Sequence, residues 1–292
     1  MALADSGVPL LLRQLATLDV AAASGMALRA DTLYVVADDE LELAAYHLDG
    51  TRAASIPLLA GALPEAHNER KAQKPDFEAL FALPDGSLVA LGSGSTARRM
   101  RGAWVSFDAA TPRVRPIDLS DLYGVLLRDL PELNIEGATV LAGRLVLCSR
   151  GNGALRQNAL IQLDLAAVLD SLRDSDSLRA GSVRSVQPVQ LDELEGTPLS
   201  FTDLANSADQ LLFSAAAEAS ANTYDDGACA GSVVGSLSLQ GQVLRVVPLA
   251  PRHKIEGICA RTHLRPTQLL LVADADDRAA RAPLLAADWL ET

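Results

Sequence analysis

Short apolar runs, some alternating with polar residues and some continuous, fill most of this chain and are broken by Gly, Asp and Pro. That pattern predicts β-strands. The runs come in groups of four. In one group residues 77–83 form a first strand, Pro84-Asp85-Gly86 a tight turn, 87–91 a second strand, 103–107 a third and 114–117 a fourth. The order returns at 135–141, 144–148, 159–163 and 183–191, and again at 201–206, 210–215, 232–239 and 243–249. An earlier group reads 25–29, 32–37, 41–48 and 53–58. The last group, 255–260, 268–273 and 283–289, stops one strand short, while a spare strand over 11–20 precedes the first. Helical spacing appears twice, at Leu119, Leu122, Leu126, Leu127 and Leu130, and at Leu165, Val168, Leu169 and Leu172.

Each group opens on one signature: an apolar residue, an acid, a small residue, an apolar residue. It reads Phe77-Glu78-Ala79-Leu80, Ile135-Glu136-Gly137-Ala138 and Ile255-Glu256-Gly257-Ile258. A weaker copy is Phe201-Thr202-Asp203-Leu204, and a degenerate one is Ala23-Ser24-Gly25-Met26. The second positions lie 54, 58, 66 and 54 residues apart in chain order. Such a period marks a repeat architecture. Four strands per repeat predict an all-β fold, a β-propeller of five four-stranded blades, with six as the alternative count. The expected organisation is one domain over 1–292, with repeats at about 21–58, 74–117, 134–191, 200–249 and 254–290. The N-terminal strand, about 11–20, closes the last blade and removes an open sheet edge.

Composition narrows the partners. The chain is 49% hydrophobic but only 4% aromatic, so Leu, Val and Ala must build the core. A net charge of −12 repels phosphate backbones and excludes nucleic acid as an expected partner. No apolar run reaches the length of a membrane span, so no membrane partner is expected. Cys148, Cys229 and Cys259 form no CxxC and are read as reduced, mostly buried thiols. With no secretion signal at the N-terminus, the expected location is cytoplasmic.

Topology then locates a site. Strand-one starts and strand-two ends share one face of a propeller. There the intervening loops are long, at 59–74, 92–102, 150–158 and 216–231, whereas the opposite turns are tight. Strand-one starts supply Lys74, Asp76, Glu78, Asn134, Glu136, Asp203, Lys254 and Glu256. Strand-two ends supply Asp38, Asp39, Ser93, Ser95, Arg150, Asn152, Glu218, Asp274 and Asp276. Acids gathered this way raise one another's pKa unless a cation compensates. Two arrangements are open. A divalent ion, Ca²⁺ first, is held by Glu78, Glu136 and Glu256. Alternatively Lys74, Lys254, Arg150 and the arginines of residues 98–101 form an ion-pair network. The repeated Glu also has a third reading, as a latch onto backbone amides of the next blade.

Other motifs are weaker. Gly92-Ser93-Gly94-Ser95 lacks the lysine and helix of a phosphate loop. Arg98, Arg99 and Arg101 read as a solvated surface. Residues 274–277 resemble the start of a calcium loop but lack its later Gly and Glu. No nucleophile elbow and no HExxH occur. His253, on the loop entering the last blade, is the candidate general base.

Taken as a set, Lys74-Pro75-Asp76-Phe77-Glu78-Ala79-Leu80, Leu91-Gly92-Ser93-Gly94-Ser95, Asn134-Ile135-Glu136-Gly137, Arg150-Gly151-Asn152, Asp225-Asp226-Gly227 and Lys254-Ile255-Glu256-Gly257 resemble an uncharacterised bacterial propeller family. That family is distantly similar to phytase-like and esterase-like-activity-of-phytase propellers. The resemblance implies carboxylates near a central channel, in some members holding calcium. It does not imply phytase activity, because fold analogy is a poor guide to chemistry.

Two functional classes follow. The first is a hydrolase of a small anionic molecule, a phosphate ester or lactone. A divalent ion would activate water there, and Lys74, Arg150, Asn152 and Lys254 would hold the substrate. No organic cofactor is expected. The second is a non-catalytic module that binds a ligand or protein, its channel closed by ion pairs.

Overall fold

In a computed structural model, residues 8–207, 210–219, 229–274, 277 and 279–290 are described. Blade one is Ala23–Arg29, Thr32–Ala37, Glu42–Tyr46 and Arg52–Pro57; blade two is Phe77–Ala82, Leu88–Gly92, Arg101–Ser106 and Arg113–Asp118. Blade three is Ile135–Leu141, Arg144–Ser149, Asn158–Asp164 and Val183–Val189; blade four is Thr197–Ser207, Gln210–Glu218, Cys229–Leu237 and Val243–Ala250. Blade five is Lys254–Arg261, Thr267–Asp274 and Pro283–Trp289, completed by Arg13–Thr17. The first strands of successive blades touch in sequence, and the fifth returns to the first. The ring therefore has five four-stranded blades, and the alternative count of six falls away.

The N-terminal segment does more than the sequence suggested. Leu10–Leu11 pairs in parallel with the outer strand of blade four, and Arg13–Thr17 then crosses to blade five. One segment thus ties two neighbouring blades together. Blade four gains a second small addition, Glu193–Leu194, on its inner strand.

Burial explains why the apolar positions repeat. The core is not one axial mass but five clusters, each between two adjacent blades. A blade faces neighbours on both sides, so both faces of its inner strands are apolar. The helices Ser120–Asp129 and Leu165–Ser175 lie where leucine spacing placed them, and Leu122, Leu126, Val168 and Leu172 extend the cluster between blades two and three. A further helix, His67–Gln73, occupies part of the stretch read as a loop. Its sequence carries no apolar stripe. It is held instead by Arg70, which pairs with Asp39 at 2.9 Å and Glu40 at 2.9 Å.

The repeated signature has a structural meaning that no single copy reveals. In every blade the pairing of the first two strands slips at that point. Phe77 faces Gly92 and Ala79 faces Leu91, so Glu78 is an extra residue. Glu136, Thr202 and Glu256 are skipped in the same way. In blade one the slip falls between Ala23 and Met26. These are β-bulges, which bend a strand and re-aim a side chain. The small residue that follows answers a second constraint. A Cβ on Gly257 would sit 2.3 Å from the Ser24 carbonyl oxygen, and one on Gly137 would sit 2.5 Å from the Leu204 nitrogen. Inner strands approach so closely there that a side chain has no room.

Candidate functional site

The bulges and strand ends surround a small polar cavity of about 80 Å³ at the axis. Blade one contributes Ala23, Ser24 and Asp38. Blade two and its preceding helix contribute Lys71, Lys74, Asp76, Glu78 and Arg99. Blade three contributes Asn134, Glu136, Arg150 and Asn152, and blade five Lys254, Glu256 and Asp274. Of the expected site residues, Lys74, Glu78, Glu136, Arg150, Asn152, Lys254 and Glu256 all line this one cavity. His253 is not in the lining. Its carbonyl accepts from Ser232 Oγ at 2.9 Å, and burial lowers its imidazole pKa. Asp276 and Asp225-Asp226-Gly227 lie outside the described residues.

Two ion-pair networks meet in the cavity. In the first, Arg150 spans three blades. It donates to Glu136 at 3.3 Å and Glu218 at 2.5 Å, its Nε donates to Ser200 Oγ at 3.3 Å, and it lies 3.7 Å from Glu256. Lys254 sits 3.3 Å from Glu256 and 3.8 Å from Glu218. Asn134 Nδ2 donates to the second oxygen of Glu136. In the other network Lys74 pairs with Asp38 and, at 2.9 Å, with Asp76. Arg99 lies 2.9 Å from Asp76, and Ser93 Oγ also donates to Asp76. Asp76 adopts a left-handed φ of 58°, a conformation an aspartate tolerates when its side chain is pinned. Of the two sequence readings of the 98–101 arginines, solvated surface or ion-pair network, Arg99 follows the network: it is 6% exposed and paired with Asp76. Its own run does not mark which of the three arginines pairs, because Asp76 is brought to Arg99 by the strand pairing of blade two.

Glu78 belongs to neither network. Among the described residues it accepts no hydrogen bond and has no ion-pair partner, and it is half-buried at the cavity wall. Burial, reinforced by Asp76, Glu136 and Asp38, raises its pKa well above the ordinary 4.5, against the pull of Lys74. Asp38 is pushed up to about 6, by burial first, with Lys74 opposing and Asp76 reinforcing. Oxygens of Asp38, Asp76 and Glu78 lie within 4.8 Å of one another, a spacing that could hold a cation. The Lys74 ammonium already rests on two of them. The latch reading of the repeat belongs to a different acid. Asp203, at the small-residue position of blade four, accepts from Ile258 N at 2.9 Å on blade five and from its own neighbour Leu204 N at 2.7 Å.

Glu136 gives the cavity a pH signature. Burial pushes its pKa from 4.5 up to about 8, with Arg150 opposing and Glu256 reinforcing. The folded state therefore binds this proton more tightly than the unfolded chain does. Its stabilising share is complete below pH 4.5 and is lost as pH rises through about 8. Stability measured by urea unfolding should fall across that window. The fall should be shallower in Glu136→Gln; an unchanged slope would show that Glu136 is not held protonated.

A ring of five blades around a charged axial cavity defines a small β-propeller. The chain belongs to a family of unknown function, DUF6929, which matches residues 19–288. No curated protein matches it. Among solved structures it is similar to glutaminyl cyclase from Myxococcus xanthus, at 13% identity and a TM-score of 0.57, over 97% of this chain and 100% of that one. A catalytically inactive virginiamycin B lyase from Staphylococcus aureus is similar at 10% identity and a TM-score of 0.41, over 89% of this chain and 80% of that one. The likeness to the Myxococcus protein is one of fold. The uncharacterised-propeller part of the resemblance stands, whereas these relatives lend no support to a phytase-like kinship.

Proposed function

We propose that the axial cavity is the centre of a hydrolase that works by carboxyl acid–base chemistry on a small polar ester or lactone. The observation that supports this most directly is Glu78. It is the cavity carboxyl left without a hydrogen-bond or ion-pair partner among the described residues, its pKa raised well above the ordinary range by burial, and it borders the open space. Nearby Asp38, at about 6, is mainly ionised at neutral pH. Burial raises both carboxyls, and only Asp38 has a cation resting on it to favour its ionised form, which suits the pair to base and acid roles. Asp38 takes a proton from water as the water oxygen attacks the acyl carbon. Lys74 has a third N–H beyond those facing Asp38 and Asp76, and offers it to the developing oxyanion. Glu78 gives its proton to the leaving alkoxide as the acyl–oxygen bond breaks. Proton exchange between the two carboxyls, whose oxygens lie within 4.8 Å, restores both.

A divalent ion fits this donor set poorly. Ca²⁺ asks for six to eight oxygens, but Lys74 occupies Asp38 and Asp76, while Arg150 and Lys254 occupy Glu136 and Glu256. Built-in cations supply the compensating charge, so Lys254 and Arg150 act on the carboxylates rather than on an anionic substrate. A phosphate ester would meet Asp38, Asp76 and Glu256 at close range, which favours an uncharged acyl compound. The test is turnover of p-nitrophenyl acetate, short lactones and N-terminal glutaminyl peptides, with and without a chelator. The glutaminyl peptides enter because the Myxococcus protein is named a glutaminyl cyclase. Chelator-resistant hydrolysis is the expected result. Hydrolysis lost with chelator and restored by Ca²⁺ would return the metal mechanism. No turnover of any of them would favour the binding-module reading, which the Arg150 crossbar over three blades supports.

A further inference from the structure

At the opposite end of the blades lies a second cleft, unrelated to the axial cavity. It has a volume of about 580 Å³, in the range of small-molecule sites. Its walls are the Asp85-Gly86-Ser87 turn of blade two, the outer half of that blade, and Arg29 reaching over from blade one. Three arginines, Arg29, Arg113 and Arg115, face two aspartates, Asp85 and Asp108. Asp176, behind the wall, pairs with Arg115 at 2.7 Å, so the cleft's charge is balanced overall and the question is which arginine is left open. Both aspartates are engaged: Asp85 accepts from Ser87 N and Oγ, and Asp108 accepts from Ser106 Oγ and lies 3.9 Å from Arg113 in an exposed pair.

Arg29 is fixed in place before any ligand arrives. Its guanidinium lies 4.4 Å over the Phe107 ring, and its Nε donates to the Gly86 carbonyl at 2.9 Å. Its two terminal nitrogens donate to no described residue. Arg115 is stacked 4.4 Å over Trp104 and pinned by Asp176 and the Leu172 carbonyl, so it shapes the wall. Trp104 and Phe107, both half-buried, and Val114 supply apolar surface beside the open fork of Arg29. An arginine held flat by an aromatic ring and a carbonyl, with both terminal nitrogens open, matches a carboxylate in a two-pronged contact.

We propose that this cleft binds a small organic carboxylate with a flat apolar body. The carboxylate sits on the Arg29 fork, the body packs on Trp104, Phe107 and Val114, and Arg113 at the rim attracts the anion. The chemistry is separate from that of the axial cavity, so neither reading depends on the other.

Trp104 provides the readout. Its indole N–H donates to Ser87 Oγ inside the cleft at 2.8 Å, while the second tryptophan, Trp289, is buried elsewhere and serves as reference. Isotope-labelled full-length protein is titrated with phenylacetate, and the two indole N–H signals are followed by NMR. The Trp104 signal should shift saturably and the Trp289 signal should stay fixed. Arg29→Gln should weaken binding by roughly tenfold or more, as expected for loss of a charge-assisted pair. Phenethylamine, with the same body and the opposite charge, should not bind to the unaltered protein, and acetate should bind more weakly than phenylacetate. The comparison of ligands needs no variant, so it decides the matter even if Arg29→Gln folds poorly. No Trp104 shift, equal binding of phenethylamine, or equal affinity in a folded Arg29→Gln protein would overturn the carboxylate fork. Acetate binding as tightly as phenylacetate would overturn the apolar subsite.

Discussion

Arg150→Met should destabilise the protein by about 3–5 kcal/mol at neutral pH, the range for breaking a buried ion pair by removing one partner. Methionine is a flexible apolar residue that can occupy much of the space, so the loss would come mainly from charge. Arg150 is 6% exposed and faces Glu136, Glu218 and Glu256, which arrive from blades three, four and five. Without the guanidinium Glu218 and Glu256 would keep only Lys254, and Glu136 would lose the cation that opposes its raised pKa. For a chain of this size the melting temperature should drop by on the order of 10 °C. Two comparisons make the result specific. Arg173→Met removes an exposed pair with Asp170 and should change stability by less than about 0.5 kcal/mol. Acidification should recover part of the Arg150→Met loss, because protonated carboxyls need no counter-ion. If Arg150→Met melts within a degree or two of the unaltered protein, the crossbar is not what holds the blades in register at the axis.

Glu78→Gln should separate function from stability. Turnover of the responsive ester or lactone should fall by roughly 10²–10⁴-fold, the usual contribution of a positioned proton donor. The substrate's KM should change little, because the amide keeps the shape of the acid. Stability should move the other way. Glu78 has a folded-state pKa well above its ordinary 4.5, so its stabilising share is complete below pH 4.5 and is lost as pH rises. Glutamine has no ionised form to bury, so the variant should be at least as stable as the unaltered protein above neutral pH. Loss of both activity and stability would mark Glu78 as a structural group, and unchanged turnover would remove it from the mechanism.

Much of this molecule was legible in its sequence. The five blades follow from apolar runs in groups of four and from a signature that returns at a regular interval. Even the composition of that signature was informative: the acid marks the bulge and the small residue marks the close approach of inner strands. The cluster of charged residues on one face was legible too, because strand direction alone decides which ends share a face. The helix His67–Gln73 was not, since it has no apolar stripe and is held by Arg70 reaching back to Asp39 and Glu40. Nor was the burial of Arg99, whose neighbours in sequence, Arg98 and Arg101, remain partly or fully exposed. His253 was expected at the site because it stands beside a signature, but the cavity is lined by the next residue, Lys254, and not by His253.

While ring closure decided five blades over six, the sequence by itself determined the repeat, the four strands of each blade and the face on which charge collects. These follow from local preferences: strand propensity, turn chemistry and the period at which both return. The tertiary structure alone decided which carboxylate meets which cation. Asp38 and Lys74 are separated by 36 residues, and Arg150 and Glu218 by 68, and ring closure and the bulges bring each pair together. That pairing leaves Glu78 without a partner among the described residues. Its chemistry therefore arises from the geometry of five blades around an axis, a property that no single stretch of the chain contains.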